Sequence, residues 1–395
     1  MTDRPAATPF RIQTLDVLRG LAVLGILSVN VAAFGLPIWA EFVPEQLSFA
    51  KAPGAGWAQW VTEVFFQQKF VTLFSLLFGV SLFLVGGEKG DPTKTPLLKR
   101  RLFWLAVFGL LHGLVFWFGD ILLLYAWCGL FMSLMRSWPA KRLIWIGAGL
   151  TLLLGLGQAL TSVLNPTASQ EGWDDYLSPD ILATSIQAYQ SGWPAGLIEN
   201  LKAWGIVQGL NFVVYTVPIL CLMMLGLGLF KAGFFHGRLP RKIYLGLIAA
   251  AAVMLCLLGL SVAADHNLMH QFASSNGWGL AALSFPIIIT LGYASVLILA
   301  TPHLPILRKV LGAVGQMAFT NYLAQTLILT SLFSMPWGPR LMGQVDYVGM
   351  WGLVIAVWIL QLIWSPIWMK HFRMGPFEWG WRCLTHKQRL PLRRV

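Results

Sequence analysis

The chain has little charge: Asp, Glu, Lys and Arg make up 11% of its 395 residues, against roughly a quarter in soluble domains. Hydrophobic residues make up 57%, and apolar stretches of about 20 residues, long enough to span a bilayer as helices, recur along the whole length. These stretches are continuous and rich in leucine, without the alternation of a transmembrane β-barrel. The composition therefore predicts an all-α, polytopic bundle of transmembrane helices, with residues 1–395 forming a single integral membrane domain.

Several chemical signatures are also missing. The four cysteines show no metal-ligand spacing, and three of them lie in predicted spans, so neither a metal site nor a structural disulfide is expected. The sequence contains no GxxxxGK[ST] phosphate-binding loop, no GxSxG and no HExxH. A nucleotide-driven pump and a soluble-type hydrolase are therefore disfavoured.

Ten apolar segments predict ten membrane spans, and an even number places both termini on one side. The boundaries follow from where each apolar run begins and ends. The predicted spans are residues 14–36, 64–86, 101–118, 120–136, 142–164, 205–230, 243–264, 278–300, 315–335 and 348–369.

Basic residues are distributed unequally between the two sides. The tails and the loops on their side hold 23 Lys or Arg, whereas the segments on the other side hold three. Because basic loops stay in the cytoplasm, both termini are predicted to be cytoplasmic. The net charge of +12 then reflects topology and contact with anionic membrane lipids, and no nucleic-acid partner is expected.

Two segments outside the spans have distinct compositions. Residues 165–203, the largest predicted outer segment, are rich in acidic and aromatic residues. They could dock a sugar or another polar acceptor, and a solvated loop with interfacial aromatic anchors explains the same composition. Residues 370–395 are basic and rich in tryptophan, which predicts an amphipathic cytoplasmic tail along the inner membrane surface.

Two ionisable residues lie at membrane depth in the stretch RRLFWLAVFGLLHGLVFWFGDILLLYAWCGL, residues 100–130. His112 and Asp120 are candidate functional residues, because ionisable side chains are expensive in hydrocarbon. Arg101 lies eleven residues before His112, on nearly the same helix face and roughly 16 Å away along the axis. A cation at the inner surface and a histidine past the midplane suit a catalyst that reaches across the membrane.

The first span repeats this arrangement, with a cation at its inner end and a polar residue near its outer end. Asp16, Arg19 and Asn30 fall within about 60° of one another around the helix, with Asn30 roughly 21 Å further out than Asp16. A structural alternative is an Asp–Arg pair that fixes the helix end, with the Asn bound to a neighbouring helix. The matched polarity of the first and third spans predicts a polar tunnel between them.

The remaining polar residues in the spans are expected to be structural or to line this tunnel. Lys69 is expected to snorkel to the outer interface. Asn321 and Gln325 are expected to hydrogen-bond between helices. Asp16 and Tyr125 are also expected to be structural or to line the tunnel.

Five motifs run from the first span to the tail: LDVLRGLAVLGILSVN, KFVTLFSLLFG, GLLHGLVFWFGDILLLYA, GQMAFTNYLAQTLI and FRMGPFEWGWR. Together they resemble the YeiB-like family of bacterial inner-membrane proteins (domain of unknown function 418). The first motif also resembles the start of the lysosomal heparan-α-glucosaminide acetyltransferase. The resemblance implies a multi-pass protein of the bacterial inner membrane, distantly similar to transmembrane acyltransferases that use cytosolic acyl-CoA.

This resemblance and the polar residues lead to one hypothesis: transfer of an acyl group, with acetyl-CoA as the preferred donor, to a glycan or other envelope acceptor on the outer side. Guanidinium groups match phosphate oxygens bidentately, so Arg19, Arg100 and Arg101 are the predicted phosphate ligands. By the resemblance, Asn30 matches the active-site Asn of the acetyltransferase. The histidine of that enzyme follows its Asn closely, whereas the next histidine here is His112.

In this hypothesis His112 is the general base or the nucleophile. Asp120 orients it and raises its basicity, and Asn30 donates to the developing oxyanion. The rival hypothesis is a proton-coupled transporter or flippase in which His112 and Asp120 relay protons, although no inverted repeat supports it. A scaffold protein is a third alternative, and assembly as a homodimer stays open.

The charge asymmetry predicts the outcome of reporter fusions. A fusion at residue 180 should report the outer side and a fusion after residue 385 the cytoplasm, because basic loops are retained inside. Alkaline phosphatase and fluorescent-protein reporters at both sites measure this. The opposite location at either site would contradict the span count.

Overall fold

The computed structural model describes residues 13–42, 46–49, 52–164, 180–264 and 285–394. Within these residues the chain is almost entirely helical, and extended pairing is limited to one bridge between Phe372 and Arg393. The predicted fold class, an all-α helical membrane bundle, is confirmed.

Helices occur at each of the ten predicted spans, and further helices lie between them. Three helices, α2, α4 and α8, continue into single π-turns at Thr62–Phe66, His112–Phe116 and Asn211–Tyr215. The helices are α1 (Gln13–Gly35), α2 (Ala55–Val61), α3 (Lys69–Gly86), α4 (Lys94–Leu111), α5 (Leu122–Met135), α6 (Ala140–Leu164), α7 (Ile181–Ser191), α8 (Ala195–Leu210), α9 (Thr216–Lys231), α10 (Arg241–Ala264), α11 (Pro286–Ala300), α12 (Pro305–Gln316), α13 (Ala318–Phe333), α14 (Tyr347–His371) and α15 (Pro376–His386).

Among the described residues, six helical segments are long and apolar enough to cross a membrane. α5 and α11 are apolar but shorter, so the count of ten spans and the cytoplasmic termini stay predictions. The six segments are Gln13–Gly35, Ala55–Gly86, Ala140–Thr161, Ala195–Lys231, Arg241–Leu260 and Tyr347–His371.

Burial separates central from peripheral helices. In α1, 67% of the most apolar window is buried, against 17% in α6 and 22% in α10. The exposed faces of α6 and α10 carry leucine and valine side chains, among them Leu153, Leu160 and Leu260. Apolar side chains on the outside are what a lipid environment requires, so α6 and α10 form the periphery and α1 forms the centre.

The central helix α1 crosses α12 with almost no space between the backbones. A Cβ at Gly20 would overlap the carbonyl oxygen of Leu311, and a Cβ at Gly315 would overlap that of Asp16. Small residues permit such close crossings in membrane bundles. The predicted spans 278–300 and 315–335 leave residues 301–314 between them as a loop, and the structure corrects this: most of that segment is the helix α12.

The tail contains the helix α15, which packs against α4 and α13, and Trp381 is buried. Its position along the inner membrane surface stays a prediction. The N-terminal ends of α13 and α15 cap each other. The Glu378 carboxylate accepts the main-chain N–H groups of Phe319 (2.7 Å) and Thr320 (3.1 Å), while the Thr320 hydroxyl accepts the N–H of Phe377 (3.1 Å). This pairing satisfies donors that helix starts leave open.

The predicted outer segment 165–203 is only partly a loop. Residues 165–179 lie outside the described part of the chain. The remainder is mostly helical, because α7 and the start of α8 fall within it. The Ser185 hydroxyl of α7 donates to the Glu199 carboxylate of α8 at 2.9 Å, and Tyr189 is buried, so this part forms a packed helical pair.

The reciprocal cap predicts a stability effect. Glu378→Ala leaves two N–H groups at the start of α13 without their acceptor, which costs about 1–3 kcal/mol and should lower the melting temperature in detergent. Glu378→Gln keeps one oxygen and should cost less.

The control is Glu88→Ala. Glu88 is exposed and its 3.5 Å pair with Lys231 is worth about 0–1 kcal/mol. Equal melting temperatures for Glu378→Ala and Glu88→Ala would contradict the capping role. Thermal unfolding followed by size-exclusion fluorescence measures both.

Candidate functional site

His112 begins the π-turn that ends α4. Such one-turn π segments inside or at the end of α-helices occur frequently at functional sites. Asn200 of α8 supports the turn, because its side-chain amide donates to the carbonyl oxygens of Gly113 (2.9 Å) and Leu114 (3.3 Å). After the turn the chain passes through the extended residue Trp117 and returns as α5.

Two glycines allow the returning chain to approach His112. A Cβ at Gly109 would lie 2.9 Å from Oδ2 of Asp120, and a Cβ at Gly113 would lie 3.2 Å from Cβ of Asp120. Gly109 and Gly113 are one helical turn apart, so they present one smooth face on which Asp120 and the start of α5 rest. Asp120 therefore reaches His112 although eight residues separate them in sequence.

His112, Asp120 and Thr326 form a buried hydrogen-bonded row. Nδ1 of His112 lies 2.8 Å from Oδ1 of Asp120, and Nε2 of His112 lies 2.9 Å from Oγ1 of Thr326. The main-chain N–H of Leu123 donates to Oδ2 of Asp120 at 2.9 Å. The three side chains are 4%, 1% and 1% exposed, in that order. This is the order hydroxyl, imidazole, carboxylate found in catalytic triads.

The sequence predicts two members of this row, His112 and Asp120, but not Thr326. Thr326 lies one residue after Gln325 on α13, far from His112 in the chain. A threonine in an apolar helix is common and usually bonds its own backbone. No local pattern therefore distinguished Thr326.

Two aromatic rings flank the imidazole of His112. The Tyr322 ring lies 5.4 Å from it and the Trp117 ring 6.1 Å, centre to centre. The Trp117 indole N–H donates to the carbonyl of Ala33 on α1 at 3.0 Å, and its ring stacks on Phe34 at 4.1 Å. The histidine is thus held between α13 and α1.

A cavity of about 280 Å³ extends from one end of the bundle toward this histidine; we call it the inner cavity. Arg19, Arg101 and Arg382 line it at the end where α1 and α4 begin, and Tyr125 and Tyr322 line it further in. Its walls also include apolar side chains of α3, among them Phe74 and Phe78. It therefore combines a positively charged mouth with a largely apolar interior.

The predicted phosphate ligands are only partly brought together. Arg19 and Arg101 line the inner cavity, whereas Arg100 does not. Consecutive helix residues point about 100° apart, so Arg100 and Arg101 cannot both face it. Arg382 of α15 supplies a guanidinium there instead, which only the docking of the tail reveals.

The tail helix positions Arg101. Its guanidinium lies 3.8 Å above the Trp381 ring, and the Trp381 indole N–H donates to the main-chain oxygen of Arg101 at 3.0 Å. Burial, and then the positive charges of Arg382, Arg100 and Arg101, lower the pKa of the neighbouring His386. Burial raises the pKa of the Glu378 carboxyl. Glu378 lines the inner cavity together with the three arginines.

A second cavity at the same end is also basic. It has a volume of about 530 Å³ and shares Gln316 with the inner cavity. Four cationic side chains line it: Arg308, Lys309, Lys370 and Arg394. Asp16 lines it as well and is bonded to Arg19 at 2.7 Å, so this ion pair lies between the two cavities.

At the other end of α1 lies an outer cavity of about 440 Å³. Glu41 and Glu63 line it together with Tyr347 and Trp351. Ser28 also lines it and is 1% exposed, and its hydroxyl has no hydrogen-bond partner in the described part of the chain. The site offers acidic, aromatic and hydroxyl groups for a polar ligand.

The inner and outer cavities lie along α1, where the sequence predicts a polar tunnel; a tunnel that joins them stays a prediction. The inner one reaches Tyr322, and the outer one reaches Phe118 and Ala33. His112 and Trp117 lie in the layer between them, because they contact Tyr322 on one side and Ala33 on the other. Asn30, the predicted oxyanion donor, is half-buried on α1 and lines neither cavity.

Lys69 does not snorkel to the outer interface. It is 2% exposed, and its Nζ donates to the main-chain oxygen of Glu63 at 2.6 Å. Glu63 lies in the π-turn after α2, which ends at Phe66, and cations stabilise the open carbonyls at helix ends. The chain breaks at Gln68, whose φ of 64° is left-handed, and this turn brings Lys69 back onto Glu63.

The remaining polar residues join helices. The Asn321 amide donates to the Ser365 hydroxyl of α14 at 3.1 Å. The Gln325 amide donates to the Val23 carbonyl of α1 at 3.1 Å and to the Gln361 side chain at 3.0 Å. Tyr125 lines the inner cavity and shares a 2.7 Å hydrogen bond with Ser75 of α3.

The described residues contain no group of three or more His, Cys, Asp or Glu side chains that could hold a metal ion. The buried row at His112 has a single carboxylate and a single imidazole.

Comparison with known proteins finds relatives that match nearly the whole chain. The chain is 32% identical over 387 residues to the uncharacterized protein YeiB of Escherichia coli (strain K12), which covers 94% of this chain and 95% of that protein. It is 31% identical over 414 residues to the uncharacterized protein YxaH of Bacillus subtilis (strain 168), covering 98% of each. It is 28% identical over 400 residues to an uncharacterized 39.9 kDa protein of Bacillus acidopullulyticus.

A family model described as a protein of unknown function (DUF418) matches residues 229–388, the part of the chain that contains α13 and the tail motif. The relatives extend the match across the first span and the His112 stretch as well. The chain therefore belongs to the YeiB-like DUF418 family.

Proposed function

We propose that this protein transfers an acyl group from a cytosolic acyl-CoA to an acceptor that approaches from the opposite side of the membrane. One observation carries the proposal: the inner cavity begins among Arg19, Arg101 and Arg382 and ends at Tyr322, whose ring contacts His112. A cationic mouth joined to an apolar interior matches a ligand with phosphates at one end and a thioester at the other.

The phosphates of the donor would bind at the mouth. Guanidinium groups form bidentate, charge-assisted hydrogen bonds with phosphate oxygens, and Arg101 is already oriented by its stacking on Trp381. The neighbouring basic cavity, with Arg308 and Lys309, lies where a second group of phosphates could extend. Cations on both sides of the Asp16–Arg19 pair suit the several phosphates of CoA.

The thiol arm would occupy the apolar interior. The rise from Arg101 to His112 is roughly 16 Å along α4, and the inner cavity covers the inner part of this distance. With a volume of about 280 Å³ it is sized for an extended arm and not for the nucleotide, which would stay at the mouth. Its apolar walls exclude water from the thioester.

His112 and Asp120 would supply the proton transfer. Asp120 accepts the Nδ1 proton and so holds the imidazole as the tautomer with a lone pair on Nε2. A base positioned in this way typically accelerates a reaction 10²–10⁴-fold. The outer cavity, with Glu41, Glu63 and Ser28, would admit the acceptor from the other side.

A proton-coupled transporter remains the second candidate. It is favoured by the two cavities on opposite sides of the His112–Asp120 layer, an arrangement that alternating access also requires. The two candidates differ in chemistry: only the enzyme breaks the thioester bond of acyl-CoA.

Binding of the donor can be tested at Arg101. Arg101→Gln removes a charged contact at the mouth, and loss of one such contact is worth roughly 1.5–3 kcal/mol, about tenfold or more in affinity. Arg100→Gln is the matched control, since it removes the same charge from the next residue, off the cavity. Isothermal titration of the purified protein with acetyl-CoA measures both variants.

Equal weakening by Arg100→Gln and Arg101→Gln would indicate a diffuse electrostatic effect and would remove the inner cavity as the donor site. Affinity of Arg101→Gln within twofold of the unmodified protein would do the same. The folded yield of each variant is recorded in the same preparation.

The role of His112 as the base can be tested by substitution. His112→Gln keeps some hydrogen bonding but removes the base, so acyl-CoA cleavage should fall about 10²–10⁴-fold while acetyl-CoA still binds. Release of free thiol by protein in detergent measures cleavage, with water as the acceptor. Asp120→Asn should also reduce the rate, because the amide no longer selects the tautomer.

Cleavage at the unmodified rate in His112→Gln would assign His112 a structural role only. Absence of thiol release from the unmodified protein, combined with proton-dependent substrate flux in vesicles that His112→Gln abolishes, would favour the transporter.

A further inference from the structure

The two nitrogen atoms of His112 are both occupied by protein groups. Nδ1 faces Asp120 at 2.8 Å and Nε2 faces the Thr326 hydroxyl at 2.9 Å. An acceptor molecule therefore cannot place its own proton on Nε2 while Thr326 is bound there. The hydroxyl that His112 is positioned to deprotonate is that of Thr326.

The hydrogen-bond directions support this assignment. Asp120 also accepts the N–H of Leu123, and a carboxylate, which has no proton to donate, accepts the proton on Nδ1. The neutral imidazole then has its lone pair on Nε2, so the Thr326 hydroxyl must be the donor in the second bond. This is the arrangement in which a hydroxyl becomes a nucleophile.

The neighbouring threonine shows that this bond is not the usual one. A buried threonine in a helix generally donates to the carbonyl four residues earlier. Thr330 does so, with its hydroxyl 2.7 Å from the Thr326 carbonyl. The Thr326 hydroxyl lies 3.5 Å from its own such carbonyl, that of Tyr322. Its proton thus has a better acceptor in His112.

A second buried hydroxyl lies at the end of the inner cavity. Tyr322 precedes Thr326 by one helical turn on the same face of α13. It lines the inner cavity, is 6% exposed, and its hydroxyl has no hydrogen-bond acceptor within the described residues. A free donor in a water-poor site is suited to a carbonyl oxygen that becomes negatively charged during attack.

We propose that Thr326 is an acyl-carrying nucleophile, a proposal that rests on the function proposed above. In the first step Oγ1 of Thr326 attacks the thioester carbonyl, an O–C bond forms and the C–S bond breaks. The hydroxyl proton passes to Nε2 of His112 and from there to the departing thiolate. The product is an ester on Thr326, with the Tyr322 hydroxyl donating to the carbonyl oxygen.

In the second step an acceptor hydroxyl or amine attacks the ester carbonyl. Its proton passes to Nε2 of His112 and then to Oγ1 of Thr326 as the O–C bond to threonine breaks. No oxidant or further reactant is needed. A covalent relay also explains how two separate cavities serve one reaction, because the donor and the acceptor never have to occupy the same space.

The experiment traps the ester. Purified protein in detergent is mixed with isotope-labelled acetyl-CoA without an acceptor, quenched in acid and digested, and the peptide that contains Thr326 is examined by mass spectrometry. A burst of free CoA thiol, stoichiometric with protein, is measured in parallel. Label on Thr326 that alkaline hydroxylamine removes is the expected result.

Three variants test the residue. Thr326→Val keeps the shape without the hydroxyl and should abolish the label and reduce thiol release about 10²-fold or more, with acetyl-CoA binding unchanged. Thr326→Ser keeps the hydroxyl and should still be labelled. Thr330→Val removes the next hydroxyl along α13 and should leave label and rate unaltered.

Label on His112 instead of Thr326, or full thiol release by Thr326→Val, would overturn the relay while the acyltransferase function survives. Absence of acetyl-CoA binding to the unmodified protein would overturn the proposed function and the relay together. Because binding, thiol release and labelling are measured separately, the two failures are distinguishable.

Discussion

The structure depends on keeping His112 and Asp120 buried together. An ionisable pair in a medium of low dielectric constant costs several kcal/mol unless its hydrogen bonds are complete. Here Asp120 receives bonds from His112 and from the start of α5, and the imidazole is completed by Thr326. These bonds link α4, α5 and α13 at one buried pair.

The same requirement explains the local irregularities. Gly109 and Gly113 leave room for Asp120 against α4, and the π-turn after Leu111 exposes carbonyls that Asn200 satisfies. Trp117 then covers the histidine and binds to α1. Each feature weakens a regular helix, and each is compensated by a contact with the buried pair or its surroundings. The outcome is a layer of packed side chains with one cavity on either side.

The inner cavity is assembled from distant parts of the chain. Arg19 comes from α1, Arg101 from α4 and Arg382 from the last helix. The last helix is held by its reciprocal cap with α13 and by the stacking of Trp381 under Arg101. The cationic mouth is therefore complete only when the tail is docked, which connects the final motif of the sequence to the chemistry at the first and third spans.

The sequence alone determined the class of the protein and the pair at its centre. Long apolar runs predict helices whatever those helices pack against, so the all-α fold was predictable. An ionisable residue in such a run is costly and therefore stands out in the sequence, so His112 and Asp120 were predictable as well. Tertiary structure decided the rest, because the direction of a side chain depends on which helix it faces. Arg100 and Arg101 are the same residue type at neighbouring positions, yet only Arg101 lines the inner cavity. Lys69 and Thr326 acquire their roles from partners that the fold brings to them, Glu63 after a backbone reversal and His112 from a distant helix.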